Sequence, residues 1–144
     1  MAQAAISGAG GAVTVTCKRA AEADAADLLA ADGYIFACPE NLASMAGVMK
    51  DFFDRTYYPA LGKIEGRPYA LMICAGSDGE GAARQITRIA TGWRLRTVAE
   101  PLIICTRAQT PEAILAPKVI AEADLAKCHD LGAAMAQGLA MGIF

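Results

Sequence analysis

The chain is poor in the side chains that usually carry acid–base or metal chemistry. Its only histidine, His129, stands beside Asp130 in a stretch with a helical pattern, and its five cysteines show no Cys-x-x-Cys spacing. A nucleophilic triad needs a nucleophile, a base close to it and a group that orients the base, and no such set can be assembled. No paired-carboxylate site is evident either. We therefore predict no catalytic side chain and no metal ligand, and we expect His129 at a solvated helix position.

An excess of charge of one sign is also absent. The 144 residues contain 13 Lys and Arg against 15 Asp and Glu, for a net charge of −2. Because binding to nucleic acid depends on clustered cations that neutralise phosphates, we predict no nucleic-acid partner. Arg84 and Arg88 lie one helical turn apart. Two interpretations of this pair stay open: contact with a cofactor phosphate, or a solvated helix face.

Long apolar runs are missing as well. No uninterrupted stretch approaches the roughly 18 residues of a membrane span, so none is predicted. Residues 1–11 carry no basic region of the kind that opens a secretory signal.

Most cysteines fall in or at the end of strand-like apolar runs, which favours buried, reduced thiols and a reducing compartment, expected to be the cytoplasm. They are Cys17, Cys38, Cys74, Cys105 and Cys128.

The remaining pattern is an alternation of strand-like and helix-like segments. It predicts strands over residues 12–17, 33–38, 69–75 and 102–106, and helices over 2–7, 22–31, 41–56, 82–92 and 119–141. The run YALMICA at 69–75 is apolar throughout, as in a strand buried on both faces. The fold class predicted is α/β, with a parallel sheet and helices on both faces, in one domain over residues 1–144.

A polar loop follows the predicted strand 33–38. Asn41 is placed to cap the next helix, or Ser44 if that helix begins one turn later. In an open parallel sheet, ligands bind at the carboxyl ends of the strands, so this loop is a candidate binding site; a plain strand-to-helix connection is the alternative. The candidate residues are Pro39, Glu40, Asn41, Leu42, Ala43, Ser44 and Met45.

A glycine-rich loop follows the predicted strand 69–75. Its glycines allow close approach to a flat ligand, while a plain turn is the alternative. A phosphate site is opposed by two acids in the loop and by the lack of a Walker lysine. Both loops are expected at the same sheet edge. The candidate residues here are Ala75, Gly76, Ser77, Asp78, Gly79 and Gly81.

Two blocks of sequence, CPENLASMAGVMKDFFDRT and GRPYALMICAGSDGEGAARQI, resemble the flavodoxin-like NAD(P)H-dependent FMN reductases and the flavodoxins. The first block is similar to that family's P-x5-M-x4-K-x-F-x-D segment, which borders the flavin ring. The second is similar to its G-x-P-x-x-L strand with the glycine-rich loop that follows. The matching residues are Pro39, Met45, Lys50, Phe52 and Asp54 in the first block and Gly66, Pro68 and Leu71 in the second.

The resemblance implies a three-layer α/β/α fold and FMN held between the two loops. It also implies NAD(P)H as co-substrate, a quinone or similar small molecule as electron acceptor, and a homo-oligomer. Such chemistry belongs to the flavin, so the lack of an acid–base constellation is no objection. Two alternatives stay open. One is an electron carrier of the flavodoxin type, and the other is a flavodoxin-like domain that has lost FMN and acts in assembly.

The chain departs from the family at its beginning. The family's first strand and the Ser/Thr/Asn-rich turn that wraps the FMN phosphate have no counterpart, so the domain is expected to be incomplete at its N-terminus. In the strand order 2-1-3-4-5, the missing strand lies between 12–17 and 34–38. Either the natural protein has further residues, or these two strands pair directly, or another chain fills the gap. FMN binding is expected to be weak or absent without that segment.

Overall fold

The computed structural model describes residues 1–144 and contains six helices and five strands. The helices are α1 (Ala2–Ala9), α2 (Ala25–Ala30), α3 (Gly47–Ala60), α4 (Glu80–Gly92), α5 (Pro111–Leu115) and α6 (Glu122–Ala140). The strands are β1 (Tyr34–Asn41), β2 (Ser44–Met45), β3 (Pro68–Ala75), β4 (Arg96–Thr97) and β5 (Leu102–Cys105). None of the helices combines the length and apolar composition that a membrane span requires.

The sheet is mainly parallel, with β3 at its centre. β1 runs parallel to β3, in a register that pairs Tyr34 with Tyr69 and Pro39 with Cys74. β4 and β5 pair in succession with the other edge of β3, also in parallel. β2 is a short return strand that pairs antiparallel with the end of β1. The predicted α/β class with a parallel sheet is therefore confirmed.

Apolar side chains on both faces of β3 explain the three layers. Leu71 and Ile73 face the larger core, which includes α3 and α4, whereas Met72 faces a smaller cluster with Ala5 of α1 and Cys128 of α6. Seven of the eight residues of β3 are buried, and the eighth is partly buried. The burial on both faces that the run of apolar residues predicts is thus observed.

Aromatic side chains pack α3 and α4 against the sheet. Phe53 packs edge-on against Phe36 of β1 and also contacts Trp93, with ring centroids 5.4 and 5.5 Å apart. Trp93 is fully buried at the end of α4, and its Nε1 donates a hydrogen bond to the Tyr57 carbonyl at 2.9 Å. Burying such large rings contributes strongly to the core, so Trp93 fixes the end of α4.

Residues 12–17 do not form the predicted strand. They are almost entirely exposed and belong to no ladder, and residues 34–38 have no hydrogen-bonded neighbour on the edge of β1 away from β3. Direct pairing of these two segments is therefore wrong. The chain that follows is held on the α3 side instead, where Arg55 donates to the carbonyls of Ala20 and Ala23. Alternating β-branched residues are no guarantee of a strand when no neighbour pairs with them.

The helix expected to begin at Asn41 begins at Gly47. β1 continues through Pro39 to Asn41, the chain reverses, and β2 runs back before α3 starts with Ala46 as its cap residue. Neither Asn41 nor Ser44 caps the helix, so that prediction is wrong. The sequence does not indicate this turn, because its two central residues are Leu42 and Ala43, whereas Asn-Gly or Asp-Gly is the usual signature of a two-residue hairpin.

Candidate functional site

The two predicted loops lie side by side at the carboxyl edge of the sheet. The hairpin at the end of β1 and the loop between β3 and α4 touch at Ala43 and Gly81. A Cβ atom added at Gly81 would lie 2.2 Å from the Ala43 carbonyl oxygen, so only glycine permits this contact. Because parallel strands β1 and β3 end together, their loops share one rim.

The Glu40 carboxylate joins the hairpin to the second loop. Its Oε2 accepts a hydrogen bond from the Gly79 backbone N–H at 2.7 Å, and its Oε1 accepts one from Ala82 at 3.2 Å. These donors lie at the N-terminus of α4, where backbone N–H groups have no helical partner. Gly79, the cap residue of α4, has no side chain to satisfy them. Glu40 therefore caps α4 from a distant point in the sequence.

Gln85 makes a second connection between the loops, one turn further along α4. Its Oε1 accepts hydrogen bonds from the Ser44 hydroxyl at 2.9 Å and from the Met45 backbone N–H at 3.1 Å. Met45 itself is buried in the core beneath the hairpin. Sequence analysis missed Gln85, because a lone glutamine in an amphipathic helix carries no signal for a partner 40 residues away.

The tip of the hairpin has an uncommon backbone conformation. Leu42 and Ala43 have φ values of 51° and 60°, in the left-handed region that non-glycine residues seldom adopt. The Leu42 side chain is fully exposed, although it is a large aliphatic group. Such conformations cost energy and concentrate at ligand-binding sites. Positive φ at both central residues is what a two-residue hairpin turn requires, so Leu42 and Ala43 stand where Asn and Gly are usual.

Among the backbone N–H groups on the two loops that donate to no acceptor in the protein, five belong to exposed residues. They belong to Leu42, Ala43, Gly76, Ser77 and Asp78. All five residues are exposed at the rim. The other predicted site residues in the second loop, Ala75, Gly79 and Gly81, are buried and shape the loop from below. The rim thus presents backbone donors beside an exposed aliphatic side chain, Leu42.

A third segment joins the rim directly after β5. The Arg107 backbone N–H donates to the Gly76 carbonyl at 2.7 Å, and the Thr106 N–H donates to Ala75 at 2.8 Å. Arg107 also has a positive φ of 55°. The sequence contains a signal for this third segment, because the predicted strand 102–106 is parallel to its neighbours and must end at the same edge of the sheet.

Cys38 lies directly under the hairpin. Its sulfur accepts a hydrogen bond from the Ala46 N–H at 3.4 Å, and its thiol donates to the Pro39 carbonyl at 3.2 Å. Burial raises the pKa of the Cys38 thiol, and the Ala46 N–H opposes this only in part. Because the reactive form of cysteine is the thiolate, Cys38 is a packing residue here.

The remaining sequence candidates lie away from the two loops. His129 is half exposed on α6 with Asp130 as its only polar partner. Tyr57 stacks on Trp93 at a centroid distance of 5.7 Å and is part of the packing of α3. Arg84 and Arg88 line an open groove of about 470 Å³ along the exposed face of α4. Neither arginine makes an ion pair.

Solved structures with the same arrangement define the class of fold. A flavodoxin from the domain Archaea superposes with a TM-score of 0.74 at 18% identity, covering 96% of this chain and 87% of that one. The WrbA-like flavodoxin from Agrobacterium tumefaciens gives 0.69 at 17% identity, covering 98% and 87%. Likeness at this level of identity shows the fold, and the fold is flavodoxin-like.

Sequence comparison then gives the family. Residues 11–109 match the family model for NADPH-dependent FMN reductase, and the chain belongs to that family. The predicted resemblance is confirmed. A probable NAD(P)H dehydrogenase (quinone), FQR1-like 2, from Arabidopsis thaliana is 40% identical over 63 residues. That match covers 42% of this chain and 22% of the relative, so the chain spans about a fifth of the curated relative's length. The family places the chain among the flavodoxin-like oxidoreductases.

Proposed function

We propose that this chain is an FMN-dependent oxidoreductase that passes electrons from NAD(P)H to a quinone or a similar small acceptor. The observation that carries the proposal is the row of free backbone donors on the two adjacent loops. An isoalloxazine ring has carbonyl oxygens and ring nitrogens along one edge, which accept hydrogen bonds from such donors. When bound, FMN supplies the hydride and electron chemistry, and the protein supplies orientation.

The residues present fit the ring of FMN. In this proposal, the N–H groups of Leu42 and Ala43 on one loop, and of Gly76 to Asp78 on the other, hold its polar edge. In the same proposal, the exposed Leu42 side chain covers apolar ring surface. The role of Ala75, Gly79, Gly81 and Met45 is to support the loops from the buried side.

The pocket beside the end of β1 does not offer an equally good place for the phosphate. It holds no hydroxyl and no basic side chain, and the cation near it is the amino group of Met1. Its lining is Met1, Ala37, Cys38, Pro39, Met72 and Cys74. The N-terminus of α4, which would otherwise attract an anion, already holds the Glu40 carboxylate. We therefore expect weak binding of FMN to this chain, through the ring.

Parallel titrations with FMN and riboflavin, followed by flavin fluorescence, test this proposal. If the loops hold the ring and nothing holds the phosphate, the dissociation constants of FMN and riboflavin should agree within about threefold. A tenfold ratio of the two constants would already mean that the phosphate contributes about 1.4 kcal/mol to binding. The flavin-loaded protein should then oxidise NADPH when a quinone is added. Failure of both flavins to bind at millimolar concentration would contradict the proposal, and a large preference for FMN would reveal a phosphate site elsewhere.

The open edge of β1 favours a second candidate, a flavodoxin-like domain that acts in assembly without FMN. Residues 34–38 present unpaired backbone groups along that edge, and such an edge is a template for pairing with another strand. This edge is also consistent with the proposed homo-oligomer. A colourless purified protein that self-associates and binds no flavin would support the second candidate.

The five free thiols support a location in a reducing compartment, proposed to be the cytoplasm.

A further inference from the structure

The hydrogen bonds of Glu40 set it apart from the other residues of the two loops. Glu40 is partly buried; one carboxylate oxygen accepts from the Gly79 N–H of the opposite loop, and the other accepts from the Ala82 N–H in the first turn of α4. The sequence places Glu40 among the residues that contact the flavin. The geometry directs its charged group to the Gly79 and Ala82 N–H groups at the N-terminus of α4 instead.

We propose that Glu40 is a positioning residue that sets the distance between the two flavin-binding loops. This inference rests on the proposed function and deepens it. Carboxylates are stabilised at a helix N-terminus by the free N–H groups and by the helix dipole. Here the carboxylate belongs to the β1 hairpin, so the same interaction that caps α4 also holds the hairpin against it. The three free donors at 76–78 directly precede the capped residue Gly79.

A second contact shows why this distance is sensitive. Gly81 lies so close to the Ala43 carbonyl that a single added carbon would not fit. On the same helix, Gln85 accepts from Met45 beyond that contact. Glu40 and Gln85 therefore lie on either side of the contact between Ala43 and Gly81. Loss of the Glu40 hydrogen bonds would let the loop with the free donors at 76–78 move relative to the hairpin.

Two variants and one matched control test the inference. Glu40→Ala removes both acceptors. Glu40→Gln keeps the shape, but its single carbonyl oxygen can accept from only one of the two N–H donors, while its NH2 group faces the other. Glu80→Gln is the control, because it removes one negative charge from the first turn of the same helix, and the Glu80 carboxylate accepts no hydrogen bond.

The first measurement needs no flavin. Amide exchange by NMR on the flavin-free protein should show faster exchange at Gly79 and Ala82, by about tenfold or more in Glu40→Ala, because a hydrogen bond to a charged group is lost. Glu40→Gln should affect one of the two amides, and Glu80→Gln neither. Unchanged exchange at both amides in Glu40→Ala and in Glu40→Gln would overturn the inference.

The second measurement uses riboflavin, which carries the same ring as FMN but no phosphate. We expect affinity to fall about tenfold in Glu40→Ala, and the visible circular dichroism of the bound ring to change in Glu40→Gln but not in Glu80→Gln. A variant that is merely less stable would bind less flavin with an unaltered spectrum. Loss of amide protection with unchanged flavin affinity and spectrum would overturn the positioning role alone. Absence of flavin binding by the parent chain would overturn the proposed function, and the positioning role with it.

Discussion

At the scale of single residues, the most informative position is Ala43. Its φ of 60° places the backbone where a Cβ atom is strained, although the residue is exposed. The left-handed conformation costs roughly 1–2 kcal/mol in an L-residue other than glycine. Ala43 carries this cost because both central residues of this two-residue hairpin turn have a positive φ.

Replacing Ala43 with glycine should therefore stabilise the protein. The relief of strain is offset in part by the greater freedom of glycine in the unfolded chain, which leaves a gain of about 0.5–1 kcal/mol. Urea denaturation measures this difference. Ala116→Gly is the control, because Ala116 is also exposed but has a φ of −64°, and it should not stabilise. Equal effects of the two substitutions would show that Ala43 is not strained.

The five thiols should differ in reactivity in a way that the structure specifies. Cys17 is exposed, whereas Cys38 and Cys128 are buried. Burial raises the pKa of the Cys38 thiol, and likewise that of the Cys128 thiol. At pH 8 an alkylating reagent should label Cys17 first and leave Cys38 and Cys128 unmodified, as read by peptide mass spectrometry. In urea all five should react at similar rates, and early labelling of Cys38 would contradict the packing.

The same raised pKa values predict how stability depends on pH. Since the fold favours the protonated thiols of Cys38 and Cys128, their contribution is fully present below the unfolded thiol pKa of roughly 8.5. It is lost as the pH rises through the higher folded values. Burial raises the pKa of Tyr34 as well, which extends the loss of stability to pH values above about 10. Unfolding free energies measured from pH 7 to 11 should fall, with most of the loss above pH 9.

At the scale of elements, the hairpin and α4 form one unit because Gly81 has no side chain. A substitution Gly81→Ala places a methyl group against the Ala43 carbonyl, and backbone on both sides leaves little room to yield. We expect a loss of about 1–3 kcal/mol in unfolding free energy, as for other overpacked sites, with weaker flavin binding. Thermal unfolding and riboflavin titration measure the two effects.

Gly47→Ala serves as the control for Gly81→Ala. Gly47 is the first residue of α3, where an added Cβ atom meets nothing within 4 Å. Alanine there should be neutral or slightly stabilising, because glycine is the weaker helix former. If both substitutions destabilise the protein alike, the loss at Gly81 does not come from contact with the hairpin.

Elements with a strong local pattern could be predicted from the sequence, and elements that depend on distant partners could not. β3 reads as seven apolar residues in a row and forms as expected. The hairpin at 41–45 was missed because Leu42 and Ala43 lack the usual turn residues, and the strand at 12–17 was predicted from alternation alone. The Glu40 bonds to α4 span 39 and 42 residues, and no local pattern indicates such contacts.

At the scale of the whole molecule, the sheet is protected unequally. β3 has hydrogen-bonded neighbours on both edges and helices on both faces. β1 has a neighbour on one edge, and its residues 34–38 have none on the other. Local opening is easiest where backbone hydrogen bonds are few and exposed. The molecule therefore has a stable centre and one edge that is open to pairing.

Hydrogen exchange of the whole chain should reveal this asymmetry. Amides of β3 should exchange at the rate of global unfolding, whereas alternate amides of β1 point away from β3 and should exchange far faster. The measurement is made at several protein concentrations, because pairing of β1 with a second copy would slow those amides as concentration rises. Slow exchange of every β1 amide in a dilute, monomeric sample would contradict the open edge. Protection that appears only at high concentration, together with a larger mass in sedimentation, would identify the edge as the contact between copies.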